Sequence, residues 1–245
     1  MNSQQNKFLV YLINQFILFT MNSIIRPKNT KFFKIFRLKN WFRKQLIKIH
    51  SDLYLIDDKI SELKNIDEFS HPRSYKLFAC DTLDTLHYYV MALEDRRFLH
   101  HCGIDTKAFI RELCQFRRKR YGASTIDMQL VRTITNFRER TLKRKLYESI
   151  LAFLINIKYN KRQIIDCYLN TAFFGSTIYG IERLLKIIRI DNFDMLNDEK
   201  KAEIASMLKY PRPLHIDKNK DKLVKWKINL QLRILYAQKT RFLVK

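Results

Sequence analysis

The sequence predicts a mainly α-helical protein. Three observations carry that expectation. Glycine and proline number only 4 each in 245 residues, too few for the turns that sandwiches and barrels need. Apolar side chains recur at helical spacing, as at Ile126, Leu130 and Phe137. Residues that cap helices, Asp105 or Thr106 and then Ser124, stand just ahead of such runs. The length allows one domain with a real core plus a short extra segment.

Residues 1–25 read as an apolar membrane anchor. The stretch FLVYLINQFILFTM, residues 8–21, is broken only by Asn14, Gln15 and Thr20. Extended to Ile25 it gives about 18 residues without charge, the lower edge of a membrane span. No small-residue cleavage site follows, which argues against a cleaved signal peptide. Residues 26–75 read as a basic juxtamembrane segment and connector. Between Arg26 and Lys48 there is no acid, and Phe32, Phe33, Phe36, Trp41 and Phe42 are interleaved with lysines and arginines. Basic residues mixed with aromatics suit an anionic membrane surface. A solvated basic helix or an RNA-binding arm fits the same composition. The positive-inside rule would place this segment in the cytoplasm. Residues 51–75 are polar and mixed in charge, as in a connector with a short helix.

Residues 76–245 form the domain, a succession of helices. The expected spans run from residue 106 to about 120, then 124–135, 141–159, 161–169, 179–189, 198–209 and 221–238. The tetrapeptide YPRP, residues 210–213, ends a helix, because proline cannot continue one and restricts the residue before it. On the 124–135 helix, Thr125, Gln129 and Arg132 share one face. On the 141–159 helix, Leu142, Leu146, Phe153 and Ile157 are the expected buried side. Arg144, Lys145, Glu148 and Ala152 form a separate stripe. Taken alone, Arg144 and Glu148 at i,i+4 read as an ordinary surface ion pair worth about 0.3–0.5 kcal/mol.

Lysine and arginine total 47 against 24 acids, a formal charge of +23. Such an excess predicts a polyanionic neighbour: nucleic acid, an anionic membrane or a phosphorylated substrate. The 4 cysteines include no C-x-x-C pair, and the histidines complete no zinc spacing. Against this basic background, LEDRRFLHHCGID, residues 93–105, sets Glu94 and Asp95 beside Arg96, Arg97, His100 and His101.

Five ordered motifs then resemble those of family 51 glycosyltransferases, the peptidoglycan glycosyltransferases found alone or as the polymerase domain of penicillin-binding proteins. The first, E-D-x-x-F-x-x-H-x-G-x-D, is complete as Glu94, Asp95, Phe98, His101, Gly103 and Asp105. The second is GASTIDMQLVRT, keeping Gly122, Ser124, Thr125, Ile126, Gln129 and Leu130. The third is Arg144, Lys145, Glu148 and Ala152. The fourth is IIDCYLNTAFFGSTIYGI, with Tyr168, Asn170, Phe174, Gly175 and Gly180 in place. The fifth is KAEIASMLKYPRP, with Glu203, Ala205 and Leu208. Together they cover about residues 76 to 215. Ala123, Asp127 and Met128 stand where the family usually has Gly, Thr and Gln. Arg132 replaces a usual Lys, Thr133 a usual Asn, and Asn156 a common acidic residue. A Y-F-G-K stretch is replaced by LLKIIRID.

The resemblance implies a lysozyme-like, two-lobed helical glycosyltransferase domain with an N-terminal membrane-associated segment. It implies polymerisation of lipid II, a lipid-pyrophosphate-linked disaccharide, into a glycan strand, with inversion and release of polyprenyl pyrophosphate. Glu94 is the expected general base. Arg132, Arg144 and Lys145 are expected at the pyrophosphate. Glu148 is expected to orient those cations, assist the leaving group or hold a divalent ion, Mg or Mn; no cofactor is required with certainty. Ser124, Thr125 and Gln129 are expected to supply neutral hydrogen bonds near the donor site. Asp95, Phe98 and His101 complete the expected substrate-binding set, the last two by shaping the loop. The expected partners are lipid II, the nascent glycan strand, the anionic membrane surface and other cell-wall synthesis proteins, with no nucleic acid. The implied location is the outer, periplasmic face of the cytoplasmic membrane, on a single-pass or interfacial anchor, against the charge bias noted above. Cross-linking activity is not expected of these residues. The alternatives are a weakened relative that binds lipid II or glycan without turnover, a basic nucleic-acid-binding protein, suggested by FRRKR at 116–120, and a glycan-cleaving enzyme.

Overall fold

The computed structural model describes residues 30–69, 83–108, 110, 124–137, 139, 141–175, 177–190, 196–213 and 220–244. The chain divides into two compact units, Met1–Leu55 and Ile56–Lys245. The expected anchor at 1–25 and most of the helix expected over 106–120 lie outside the described residues. Among those described, no helix is long and apolar enough to cross a membrane.

The first described helix, α1 (Thr30–Phe69), is 40 residues long. It overturns the reading of 51–75 as a connector with only a short helix. The cause is an absence of breakers: no glycine or proline occurs between Pro27 and Pro72. Within the larger unit, Ile56, Ile60 and Leu63, spaced by 4 and 3, are its buried residues.

Two groups of helices build the larger unit. The first is α2 (Thr85–Glu94), α7 (Asp198–Met207) and α8 (Lys220–Thr240); the second is α3 (Ile126–Thr135), α4 (Leu142–Lys158) and α5 (Lys161–Thr171). Side-chain caps start most of them. Asp84 accepts from Leu86 N at the head of α2, Thr125 from Met128 N at α3, Thr141 from Arg144 N at α4 and Asn160 from Gln163 N at α5. Each satisfies a backbone donor that the helix itself leaves open. Thr125, rather than the expected Ser124, is the cap of α3.

The two groups are joined through a buried polar cluster. His87 Nε2 lies 2.7 Å from Asp166 Oδ1, and Arg162 Nε donates to Asp166 Oδ2 at 2.5 Å. The Asp84 amide donates to His87 Nδ1 at 3.0 Å, so Nε2 carries the proton that points at Asp166.

Helix α4 lies the other way round from the expectation. Leu146 and Phe153 are 55% and 46% exposed, whereas Tyr147, Glu148, Leu151, Ala152 and Ile155 are buried. The periodicity was real, but the stripe with the polar residues is the one that faces the protein. That orientation is tolerable because Glu148 finds charged partners inside.

After α5 the chain forms a two-stranded antiparallel hairpin, β1 (Phe173–Gly175) with β2 (Ile178–Tyr179), where no strand was expected. Tyr179 pairs with Phe173, so the following helix, α6 (Ile181–Ile187), starts two residues later than the sequence suggested. Gly175, at φ +106°, lies against Arg212; an added Cβ would come within 2.2 Å of the Arg212 nitrogen. Arg212 N donates to Phe174 O at 2.9 Å, so the YPRP segment both follows α7 and braces the hairpin.

The loop after α2 meets α4 at Gly103. Its φ is +86°, and a Cβ there would stand 2.4 Å from the Ala152 carbonyl oxygen. This gives the glycine of the first motif a physical cause. Gly103→Ala is expected to lower the unfolding free energy by about 2–4 kcal/mol through backbone strain and overpacking. Urea denaturation checks it; a loss below about 0.5 kcal/mol would show that the close approach does not matter.

Candidate active site

Glu94 is the last residue of α2, and Asp95 is its C-cap, with φ −157° and ψ 84°. The backbone leaves the helix between them, and the two acids go to different places. Asp95 turns inward. Its Oδ2 accepts from Ile126 N, the first residue of α3, at 3.2 Å and lies 2.9 Å from His101 Nε2. A carboxylate suits that position because helix N-termini present unpaired N–H groups and partial positive charge. Glu94 instead accepts from Gln129 Nε2 at 3.2 Å and from Arg233 Nη2 at 2.5 Å.

The rest of the first motif holds the loop. Phe98 is fully buried and meets His101 edge-on, with ring centroids 6.2 Å apart. The Lys161 ammonium lies 4.3 Å over the Phe98 ring. Arg97 donates to Asp105 at 2.7 Å, and Thr125 Oγ1 donates to Gly103 O at 2.7 Å. Asp95, Phe98, His101 and Thr125 therefore face protein, with their described contacts internal.

Asp127 is fully buried in the same region. It accepts from Asn156 Nδ2 at 2.6 Å and from Lys161 Nζ at 3.3 and 3.4 Å, and it lies 3.8 Å from His101 Nδ1. Burial pushes the Asp127 carboxyl up from its ordinary pKa, against the pull of Lys161. Burial likewise pushes the Lys161 ammonium down, against Asp127. Two departures from the family pattern, Asp127 and Asn156, are thus bonded to each other. An acid absent from α4 is supplied by α3 at the same contact.

Glu148 is wholly buried. Arg132 reaches it with a fork, Nε to Oε1 at 2.8 Å and Nη2 to Oε2 at 2.9 Å. Arg144 Nε lies 3.2 Å from Oε1. The pair at i,i+4 is therefore not the surface pair its spacing alone suggested. The Glu148 carboxylate holds the Arg132 guanidinium above its ordinary pKa. Arg132 Nη2 also donates to Ser124 Oγ at 3.2 Å. Lys145 is half-buried beside Arg144 on α4.

Of the three residues expected on one face of α3, Gln129 and Arg132 share it, whereas Thr125 is the inward-turned cap. Gln129 holds one carboxylate and Arg132 the other, one turn apart on the same helix. Tyr168 on α5 donates its hydroxyl to Gln129 Oε1 at 2.9 Å, which turns the amide nitrogen towards Glu94. Burial raises the Tyr168 phenol well above its ordinary pKa, so it stays protonated. Neither Tyr168 nor Arg233 was among the expected site residues. Tyr168 belongs to the fourth motif, which is a signal; Arg233 is one basic residue among 47, far along the chain from Glu94.

A divalent ion does not fit at Glu148, since both its oxygens already face guanidinium nitrogens and a third cation would be repelled. Asp95, His101 and Asp127 offer atoms within 4.8 Å of one another. There the Lys161 ammonium is the cation, and His101 points its two nitrogens at two different carboxylates. A cavity of about 780 Å³, lined by Trp226, Ile228 and Glu203 among others, contains none of the expected site residues.

The fork yields a stability test. Glu148→Ala would leave Arg132 and Arg144 without their shared counter-ion. It is expected to destabilise the fold by about 3–5 kcal/mol, with Glu148→Gln milder. Equal stability of the alanine variant and the parent in urea would refute the role given to the buried carboxylate.

A family model described as Transglycosylase matches residues 63–235. Penicillin-binding protein 1A of Aquifex aeolicus is 37% identical over 124 residues, 49% of this chain and 17% of that protein. Penicillin-binding protein 1A of Rickettsia prowazekii is 31% identical over 162 residues, 64% of this chain and 21% of the relative. The biosynthetic peptidoglycan transglycosylase of Haemophilus influenzae is 28% identical over 197 residues, 79% of this chain and 78% of that protein. The chain thus spans about a fifth or less of the penicillin-binding proteins it matches. With the family model covering both helix groups and every motif that builds the site, this chain belongs to the transglycosylase family, the family 51 glycosyltransferases.

Proposed function

We propose that the protein is a peptidoglycan glycosyltransferase that polymerises lipid II at a membrane surface. The observation that carries this reading is the pair of carboxylates tied to one face of α3. Glu94 is bound by Gln129, and the buried Glu148 is gripped by Arg132 and Arg144.

The reaction joins the 4-hydroxyl of an acceptor sugar to the anomeric carbon of the growing chain. The carbon–oxygen bond to pyrophosphate breaks, and the anomeric centre inverts. Two groups must be served: a proton leaves the attacking hydroxyl, and negative charge grows on the departing pyrophosphate. Glu94 takes the proton. Each of its oxygens has one described donor and keeps a further lone pair for the hydroxyl. Arg132, Arg144 and Lys145 meet the pyrophosphate. Guanidinium groups suit phosphate oxygens because they offer paired donors in a plane. Glu148, with no exposed surface, acts through Arg132 and Arg144 by fixing where they point.

A binding relative without turnover is the second reading, motivated by the altered second motif. Asp127 and Asn156 bear against it, because they satisfy each other and leave both glutamates with their arginine and amide partners.

Labelled lipid II incubated with purified protein tests the proposal. Polymer should form, and Glu94→Gln should reduce the rate by about 10²–10⁴-fold, the usual worth of a general base, with an unchanged melting temperature. Polymer made by that variant at the parent rate would remove Glu94 from the mechanism. Binding with no polymer from the parent would favour the second reading.

A further inference from the structure

Helix α8 contributes one side chain to the site that no motif marks. Arg233 Nη2 donates to Glu94 Oε1 at 2.5 Å and to the Leu93 carbonyl oxygen at 3.3 Å. The Leu93 carbonyl belongs to the last turn of α2, where helix carbonyls lack partners within the helix. One guanidinium therefore fixes both the helix end and the side chain it displays. The side chains of Arg233 and Glu94 are only 11% and 16% exposed.

We infer that Arg233 is a positioning residue for Glu94. The inference rests on the reading of Glu94 as the general base. A glutamate at a helix terminus has three side-chain torsions, and without restraint it samples many rotamers. Gln129 alone restrains one oxygen with a neutral donor. Arg233 restrains the other with a charged one, from a different helix and a different helix group. Two donors on two oxygens fix the plane of the carboxylate, which one donor cannot do. General-base catalysis requires the base within hydrogen-bond reach of the hydroxyl it deprotonates, so orientation becomes rate.

Arg233 is itself held by its helix. Leu230, Ile234 and Ala237 of α8 are buried around that position. Two further contacts on the C-terminal side of Arg233, Arg96 with the Tyr236 hydroxyl of α8 and Arg241 Nη1, just past α8, with the Tyr89 hydroxyl, tie this end of the chain to the α2 region. Helix α8 also packs along α7 and α2, so its docking does not rest on Arg233 alone. The loss expected on substitution is one of alignment rather than of fold.

The test uses the full chain with labelled lipid II, comparing Arg233→Gln and Arg233→Lys with the parent and with Glu94→Gln. Arg233→Gln should lower kcat by about 10- to 100-fold with KM for lipid II changed less than threefold, since misplacement by about 1 Å can cost that much. Arg233→Lys, which keeps a charged donor, should retain more kcat than Arg233→Gln. Melting temperatures by circular dichroism should fall by only a few degrees. Parent kcat in Arg233→Gln, equal kcat in the two variants, or a loss confined to KM would each overturn the inference. The two failures are separable: Glu94→Gln with parent activity defeats the general-base reading. Glu94→Gln inactive beside Arg233→Gln at parent kcat defeats this inference alone.

Discussion

The fork between Arg132 and Glu148 is the contact on which the arrangement of the site depends. An unpaired carboxylate with no exposed surface would be very costly, because an isolated charge in a protein interior loses its hydration without return. Glu148 is tolerable on the inner face of α4 only because Arg132 reaches it from α3 with both ends of its fork and Arg144 approaches from one turn earlier. That requirement fixes how α3 and α4 face each other. It also explains why the exposed stripe of α4 is the apolar one. Once the fork sets α3 against α4, Gln129 lies one turn from Arg132, facing the end of α2.

A second polar cluster fixes the other end of α3. Asp95 receives the first backbone donor of that helix, His101 lies between Asp95 and Asp127, and Asp127 is balanced by Lys161 and Asn156. The consecutive acids of the first motif thus divide two tasks. Asp95 secures the helix that carries Gln129 and Arg132, and Glu94 uses the position so created. Their adjacency follows from geometry, since α2 ends between them and the extended backbone at Asp95 sends the two side chains apart.

Much of this was legible in the sequence. Helical spacing located α3, α4, α5, α7 and α8 to within two or three residues, because capping residues and the proline segment leave local marks. The shared face of Gln129 and Arg132 followed from periodicity, whereas Thr125, expected on the same face, caps the helix and turns inward. Other features were not legible for physical reasons. Periodicity reports that a helix has two faces but not which one finds partners, so it does not show that the stripe carrying Glu148 is the inner one of α4. Propensity could not show that 51–69 continues a helix begun at Thr30, because polar, mixed-charge residues suit both a helix surface and a connector. The hairpin after α5 depends on the close passage of Gly175 and Arg212, a tertiary fact with no local signature. Arg233 was invisible because its partner is distant in sequence and basic residues are common throughout.

The two glutamates show how one residue type takes two roles from its surroundings. Glu94 is partly exposed and has one charged partner, Arg233, and one neutral partner, Gln129. Glu148 is fully enclosed, and its group with Arg132 and Arg144 carries a net positive charge. Without the acid, two guanidiniums held that close would repel, and each would be drawn towards solvent. With it, they are held in one orientation and still present excess positive charge to an anion. Burial thus separates the two acids. The acid that keeps some exposure is the one proposed as the base, and the enclosed acid orders the two guanidiniums around it.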